Sequence, residues 1–300
     1  MRLATGVPMS LSLSVVNGRW SGPTVWLSGA IHGDEVNGVE IVRTVAGRLD
    51  ARQTAGTVIA VPVVNVLGFL AGDRYLPDRR DLNRSFPGSQ RGSLAARIAH
   101  LFMTNVVDRC SAGIDFHTGT NHRSNLPQIR ANLGDPETRR LAEAFAPEVL
   151  VQASLRDGSL RQAATERGVT TLLYEGGQPN RFDPSAVAAG VDGTLRVLAA
   201  LGMITGPPPA PAGTVEVSRT TWVRARRSGL ARMHVRLGDR VTAGDTIAEI
   251  GDVLGGRPTI ARAPADAIVI GASTDPLVNR GDALANLGLL EPPLPNTGSA

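Results

Sequence analysis

Lysine is absent from this 300-residue chain, cysteine occurs once, and aromatic residues make up only 4% of it. Without lysine, all 31 basic residues are arginines, which stay charged at any accessible pH. The isoelectric point of 10.3 therefore exaggerates a formal excess of only +4. That excess is spread thinly: residues 1–213 carry 21 arginines against 18 acidic residues, and residues 214–300 carry 10 against 9. Neither region has the electrostatic footprint of a nucleic-acid binder, and the local stripe Arg224, Arg226, Arg227, Arg232, Arg236 and Arg240 reads as a solvated face. A single cysteine excludes an intrachain disulfide and agrees with a reducing compartment. No cysteine-protease pattern surrounds Cys110, so it reads as a small buried hydrophobe. Long apolar runs are missing too. The longest, TVIAVPVVNVLGFLAG (57–72), is interrupted by Pro62 and Asn65 and is too short to span a bilayer. The N-terminal MRLATGVPMSLSLSVV alternates instead of forming a continuous signal core. The expectation is a cytoplasmic protein with neither a membrane nor a nucleic-acid partner.

What is present, 42% hydrophobic and 19% charged residues, describes a globular protein with one substantial core and a smaller second one. The segment GPPPAPAG (206–213) reads as a stiff linker, because clustered prolines exclude both helix and central strand. It sets the expected organisation: a catalytic domain over 1–205, the linker, a β domain over 214–292, and a tail over 293–300. Before the linker, apolar runs such as TVWLSGAI (24–31), TVIAVPVVN (57–65), GIDF (113–116), LPQIRANL (126–133) and TTLLY (170–174) alternate with helical patterns near 35–49, 93–107, 135–145, 159–167 and 184–201. Such alternation predicts an α/β domain with a parallel or mixed sheet covered by helices. After the linker, short strand-like pieces separated by Gly-Asp and Pro turns predict a small β-barrel or sandwich.

In an open α/β sheet, ligands bind outside the carboxyl ends of the strands. His32 follows TVWLSGAI, His117 follows GIDF, and Glu175 follows TTLLY and precedes two glycines. Glu35 completes an H-x-x-E with His32. Alone that pair decides little, since five histidines give about half an accidental H-x-x-E in such a chain. Together, two histidines and one carboxylate make the ligand set of catalytic zinc, which leaves a fourth position for water. Glu175 would be the free carboxylate that takes the water proton. Imidazole ligands favour zinc over magnesium. The loop RYLPDRRDLNRSFPG (74–88) concentrates four arginines, and Asn83 with Arg84 fits a clamp for a substrate carboxylate.

HGDE (32–35), RDLNRSFPG (80–88), DFHTG (115–119) and LYEGG (174–177) together resemble the succinylglutamate desuccinylase and aspartoacylase family, related to zinc carboxypeptidases. The resemblance covers most of residues 10–202. It implies a zinc-carboxypeptidase-like mixed sheet flanked by helices, and one Zn2+ per chain held by His32, Glu35 and His117. It further implies Glu175 as general base and acid, and Asn83 with Arg84 on the substrate carboxylate. An upstream arginine polarises the scissile carbonyl in the family; Arg74, Arg79 and Arg80 compete for that task, with Arg74 preferred. Residues 214–290 resemble hammerhead, or barrel-sandwich, modules related to lipoyl and biotinyl domains, but a chain without lysine cannot carry those cofactors on the usual residue. An accessory wall or subunit contact is the expected role, which leaves a homo-oligomer open. His234 reads as structural, and His122 as a candidate neighbour of the His117 motif. The expected activity is zinc-dependent removal of an acyl group from an N-acyl amino acid or similar small carboxylated amide. The alternatives are a metallocarboxypeptidase acting on peptides and a non-catalytic binding protein.

Overall fold

The computed structural model describes residue 6 and residues 8–290, so the expected 293–300 tail lies outside the described residues. The chain divides into two compact units, Met1–Val215 and Glu216–Ala300.

Strands of the first unit are β1 (Ser14–Asn17), β2 (Trp20–Ser28), β3 (Ala55–Val61), β4 (Ala112–His117), β5 (Arg123–Ala131), β6 (Val149–Gln152) and β7 (Thr170–Gly177). They lie in the order β1-β3-β2-β4-β7-β5, with β6 paired to β5. β2 pairs in parallel with β3 and β4, β4 with β7, and β5 with β6. β1 on β3 and β5 on β7 are antiparallel, which makes the sheet mixed. Helices α1 (Val36–Arg48), α2 (Val66–Ala71), α3 (Leu94–Asn105), α4 (Pro136–Phe145), α5 (Leu160–Thr165) and α6 (Pro184–Ala200) connect the strands.

Alternation along each strand feeds two cores. Val25 and Leu27 of β2 join Ile114 and Phe116 of β4 and side chains of α1, α4 and α6. Trp26, one residue out of phase, joins Ile59 and residues of α3 and α5. Trp26 is fully buried, meets Phe102 edge-on with ring centroids 5.9 Å apart, and lies opposite Gly113 of β4. A Cβ at Gly113 would sit 1.9 Å from the indole ring, so only glycine admits this tryptophan.

Helix starts follow local chemistry. Asp135 and Asp183 accept backbone N–H groups at the starts of α4 and α6, each followed by proline in the first turn. Ser93, Ser159 and Asn65 cap α3, α5 and α2. Asn65 also explains why the apolar run 57–72 is two elements: β3 stops before Pro62 and α2 begins after the cap. The exception is α1, whose N-cap Glu35 makes no capping bond. A missing cap costs about 1 kcal/mol, and the Glu35 carboxylate is engaged elsewhere.

The proline-rich segment runs against the first unit, where Arg196 donates to the Pro209 carbonyl at 3.1 Å. The second unit contains two antiparallel sheets around its own core, which includes Val223, Ile247, Val269 and Leu287. One sheet has the order 259–262, 246–251, 229–233, 277–278. In the other, 267–273 pairs with 240–241 and 283–289, and 283–289 with 220–224. No helix occurs among its described residues.

Candidate active site

β2 and β4 are adjacent parallel strands, so the residues that follow them emerge at the same sheet edge. His32 sits in the turn after β2, Glu35 at the start of α1, and His117 at the end of β4. The turn fits because residue 33 is glycine: a Cβ there would lie 2.0 Å from the backbone of Gly68 in α2. Glu35 Oε1 is 2.8 Å from His32 Nδ1, and Oε2 is 2.7 Å from His117 Nδ1. Oε2 also accepts the Thr118 backbone N–H at 3.2 Å. One donor atom from each of the three buried residues lies within 4.8 Å of the others.

Each imidazole is backed by a second carboxylate. His32 Nε2 is 3.1 Å from Asp81, and His117 Nε2 is 2.7 Å from Asp115, which accepts the Ser28 hydroxyl at 2.6 Å. An Nε2–H donated outward leaves the Nδ1 lone pair facing the centre. Burial raises the Glu35 carboxyl, but the two imidazoles outweigh it and hold Glu35 well below the usual carboxylate range. Burial disfavours imidazolium as well; Glu35 and Asp81 nevertheless raise His32, while Asp115 and Glu35 raise His117 well above its ordinary value. Two imidazoles and a carboxylate, each imidazole backed by a further carboxylate at Nε2, suit zinc or a similar transition metal, and suit a hard cation poorly.

Glu175 lies directly opposite His117 in the β4–β7 register. Its Oε2 accepts from Asn125 Nδ2 at 2.7 Å, and burial raises its carboxyl above the ordinary value against the fields of Arg130 and His117. Asn37, fully buried on α1, donates to the Gly176 carbonyl at 3.2 Å and accepts from Asp183 N–H at 2.9 Å. It thereby ties the H-x-x-E turn to the strand end bearing Glu175.

The 74–88 loop divides its arginines. Arg74 is largely buried and donates to Glu35 Oε1 and Asp81 Oδ2, both at 3.1 Å. Arg79 and Arg80 pair with Asp73 and Asp78 and remain 77% and 58% exposed, away from the metal ligands. Asp81 caps the short 3-10 turn Leu82–Arg84, which presents Asn83 and Arg84. Asn83 is buried, and its Oδ1 accepts from the Leu160 N–H at 2.9 Å, which directs its Nδ2 donor elsewhere. Arg84 is exposed and donates to the Asn83 carbonyl. His122 sits in the exposed turn after β4, and His234 pairs with Glu249 at 3.5 Å in the second unit. Cys110 is buried, and burial pushes its thiol up to about 12.

Residues 21–201 match the succinylglutamate desuccinylase/aspartoacylase catalytic domain. The chain belongs to the succinylglutamate desuccinylase/aspartoacylase family. Within that family it is 32% identical over 281 residues to the N-alpha-acetyl-L-2,4-diaminobutyric acid deacetylase of Halomonas elongata, covering 89% of this chain and 82% of the relative. Among solved structures, a succinylglutamate desuccinylase/aspartoacylase from Rhodobacter sphaeroides superposes with a TM-score of 0.83 at 31% identity, over 92% of this chain and 88% of that one. The product-bound ectoine utilization protein EutE (DoeB) from Ruegeria pomeroyi gives a TM-score of 0.85 at 28% identity, over 93% and 89%. The chain is a hydrolase of this zinc-type deacylase and desuccinylase family, with His32, Glu35 and His117 as its metal-binding triad.

Sequence reasoning did not single out Asp81, Asp115, Asn125 or Asn37 as site residues. Asp115 carried a usable signal: two residues before His117 on one strand, it must share that side chain's face. Asn125 and Asn37 carried none, because their partners are 50 and 139 residues away.

Proposed function

We propose that the protein is a zinc-dependent amidohydrolase that removes the acyl group from a small N-acyl amino acid, with one Zn2+ per chain held by His32, Glu35 and His117. The single observation that carries this reading is the register pairing of His117 with Glu175, which sets a free carboxylate beside the metal-binding triad. Bound zinc supplies Lewis acidity and lowers the pKa of water toward neutrality. Glu175 accepts the proton of the attacking water and delivers it to the leaving nitrogen as the C–N bond breaks, giving a carboxylate and an amine. Its raised pKa suits both halves of that exchange.

Arg74, whose guanidinium has donors left after binding Glu35 and Asp81, polarises the scissile carbonyl. Arg84 and the outward Nδ2 of Asn83 hold the amino-acid carboxylate, since Oδ1 of Asn83 is committed to Leu160. In this reading residues 1–205 are the catalytic domain, and the β domain is an accessory module.

The test is a panel of N-acetyl and N-succinyl amino acids and short peptides offered to zinc-loaded protein. Hydrolysis of the acyl amino acids with little cleavage of peptides is expected. Preferential release of C-terminal residues from peptides would replace this reading by a carboxypeptidase.

A further inference from the structure

Strand β5 reaches Glu175 through an irregularity. In the antiparallel β5–β7 register Gln128 stands opposite Glu175 and Asn125 opposite Gly177, so three residue steps on β5 span two on β7. The extra residue falls at positions 126 and 127, and Pro127 has no N–H to give to the ladder. Fully buried Gln128 donates its side-chain amide to the Leu126 carbonyl at 3.2 Å and so holds the bulge. Side chains alternate faces along a strand, so residues 125 and 128 would face opposite ways in a regular ladder. The inserted residue returns both to one face, that of Glu175. The residue opposite Asn125 is glycine, so no side chain from position 177 competes for the space that the Asn125 amide crosses.

The consequence is a grip on one oxygen. Asn125 Nδ2 donates to Glu175 Oε2 at 2.7 Å, a length typical of a donor facing a charged acceptor. Among the described residues it is the one hydrogen bond that this carboxylate receives. The terminal torsion of glutamate is broad and two-fold, so a carboxylate without such a grip would exchange its oxygens freely. The backbone beneath it is fixed by other means: the Gly176 carbonyl accepts from Asn37 at 3.2 Å, and the Gly177 carbonyl from the Gly119 N–H at 3.0 Å. Asn125 therefore acts on the carboxylate alone, and its removal leaves the strand end in place.

We propose that Asn125 is a positioning residue: by holding Oε2 of Glu175 it turns Oε1 toward the metal-binding triad as the oxygen that takes and returns the proton. This deepens the deacylase reading and rests on Glu175 being its base. The bond serves both halves of the exchange, because Oε2 accepts from Asn125 as a carboxylate oxygen and equally as the carbonyl oxygen of the acid protonated on Oε1.

A double-mutant cycle reads the role. Asn125→Ala in the zinc-loaded protein should lower kcat about 10-fold to 100-fold, the scale of a misplaced catalytic group, with KM and zinc affinity within about threefold of wild type. Combined with Glu175→Gln, the same substitution should change the residual kcat by no more than about twofold, because a residue that acts through Glu175 has nothing left to position. An equal fractional loss in both backgrounds overturns the proposal. So does a rise in KM with kcat unchanged, which would put Asn125 on the substrate, and so does a kcat within about threefold of wild type. The second readout needs no turnover. The side-chain amide protons of Asn125, followed by proton–nitrogen NMR, should include one shifted downfield by the carboxylate, which moves upfield in Glu175→Gln as a neutral acceptor replaces the charged one. An amide signal indifferent to that substitution overturns the proposal even if Asn125→Ala does not fold. A responsive amide in a protein that cleaves peptides and spares N-acyl amino acids would instead remove the deacylase reading and leave Asn125 in its role.

Discussion

Replacing Asp115 by asparagine keeps the side-chain shape and removes one negative charge from behind His117. Asp115 is fully buried between the Ser28 hydroxyl at 2.6 Å and His117 Nε2 at 2.7 Å. The amide oxygen of asparagine can still accept from Nε2–H, and the hydroxyl of Ser28 can turn to accept from the amide, so the fold should survive. Two effects on metal affinity then oppose each other. Loss of the anion weakens His117 as a donor and loosens its orientation, typically by about 10-fold to 100-fold in affinity, equivalent to about 1.4–2.7 kcal/mol. The same loss lets the raised pKa of His117 fall, so that fewer protons are displaced when the metal binds. Below that pKa this recovers about tenfold per unit. The folded-state pKa is raised, so proton competition is full at low pH and fades as pH rises. The zinc deficit of Asp115→Asn should therefore be smallest near about pH 6 and grow toward about pH 9. Competition with a chromophoric chelator across that range measures it, with Ser28→Ala as the charge-preserving control. Affinities within about threefold of wild type at the alkaline end would refute the argument that Asp115 braces a metal ligand.

Glu175→Gln should retain zinc and fold but lose about 10²-fold to 10⁴-fold in turnover. Burial raises the Glu175 carboxyl, so wild-type kcat/KM should decline with falling pH on a limb above the ordinary carboxylate range. A limb at the ordinary value would mean that another group takes the proton. Arg84→Lys keeps the charge but loses the planar fork, so KM for carboxylated substrates should rise while kcat falls less. Equal sensitivity of a substrate lacking that carboxylate would remove the clamp. Gly113→Ala forces a Cβ to 1.9 Å from the Trp26 ring, and should destabilise the fold by about 1–3 kcal/mol or more. A melting temperature unchanged from wild type would mean that the indole moves freely.

The elements bearing chemistry were legible because their signals are local. Strand signals ahead of HGDE, DFHTG and LYEGG are apolar runs followed by a polar residue, and Ser93, Asp135, Ser159 and Asp183 each cap a helix that begins at the next residue. Harder was the apolar run 57–72, where strand and helix share one composition and only the Asn65 cap separates them. Strand β6 escaped notice, since four residues give periodicity too little length. The resemblance carried by four ordered motifs supplied the family, the metal triad and the candidate base.

The sequence by itself determined the identity of the ligands, through residue types placed at strand ends. Tertiary structure decided which of several equivalent residues work together. Arg74, Arg79 and Arg80 are chemically alike and six residues apart at most, yet only Arg74 turns inward to Glu35 and Asp81. The same holds for Asp115 behind His117 and Asn125 on Glu175. Charge and hydrogen-bonding capacity are properties of a residue, but whether they are satisfied depends on strand order and register. Those are set by the packing of two cores on opposite faces of the sheet, between segments that lie far apart in the chain.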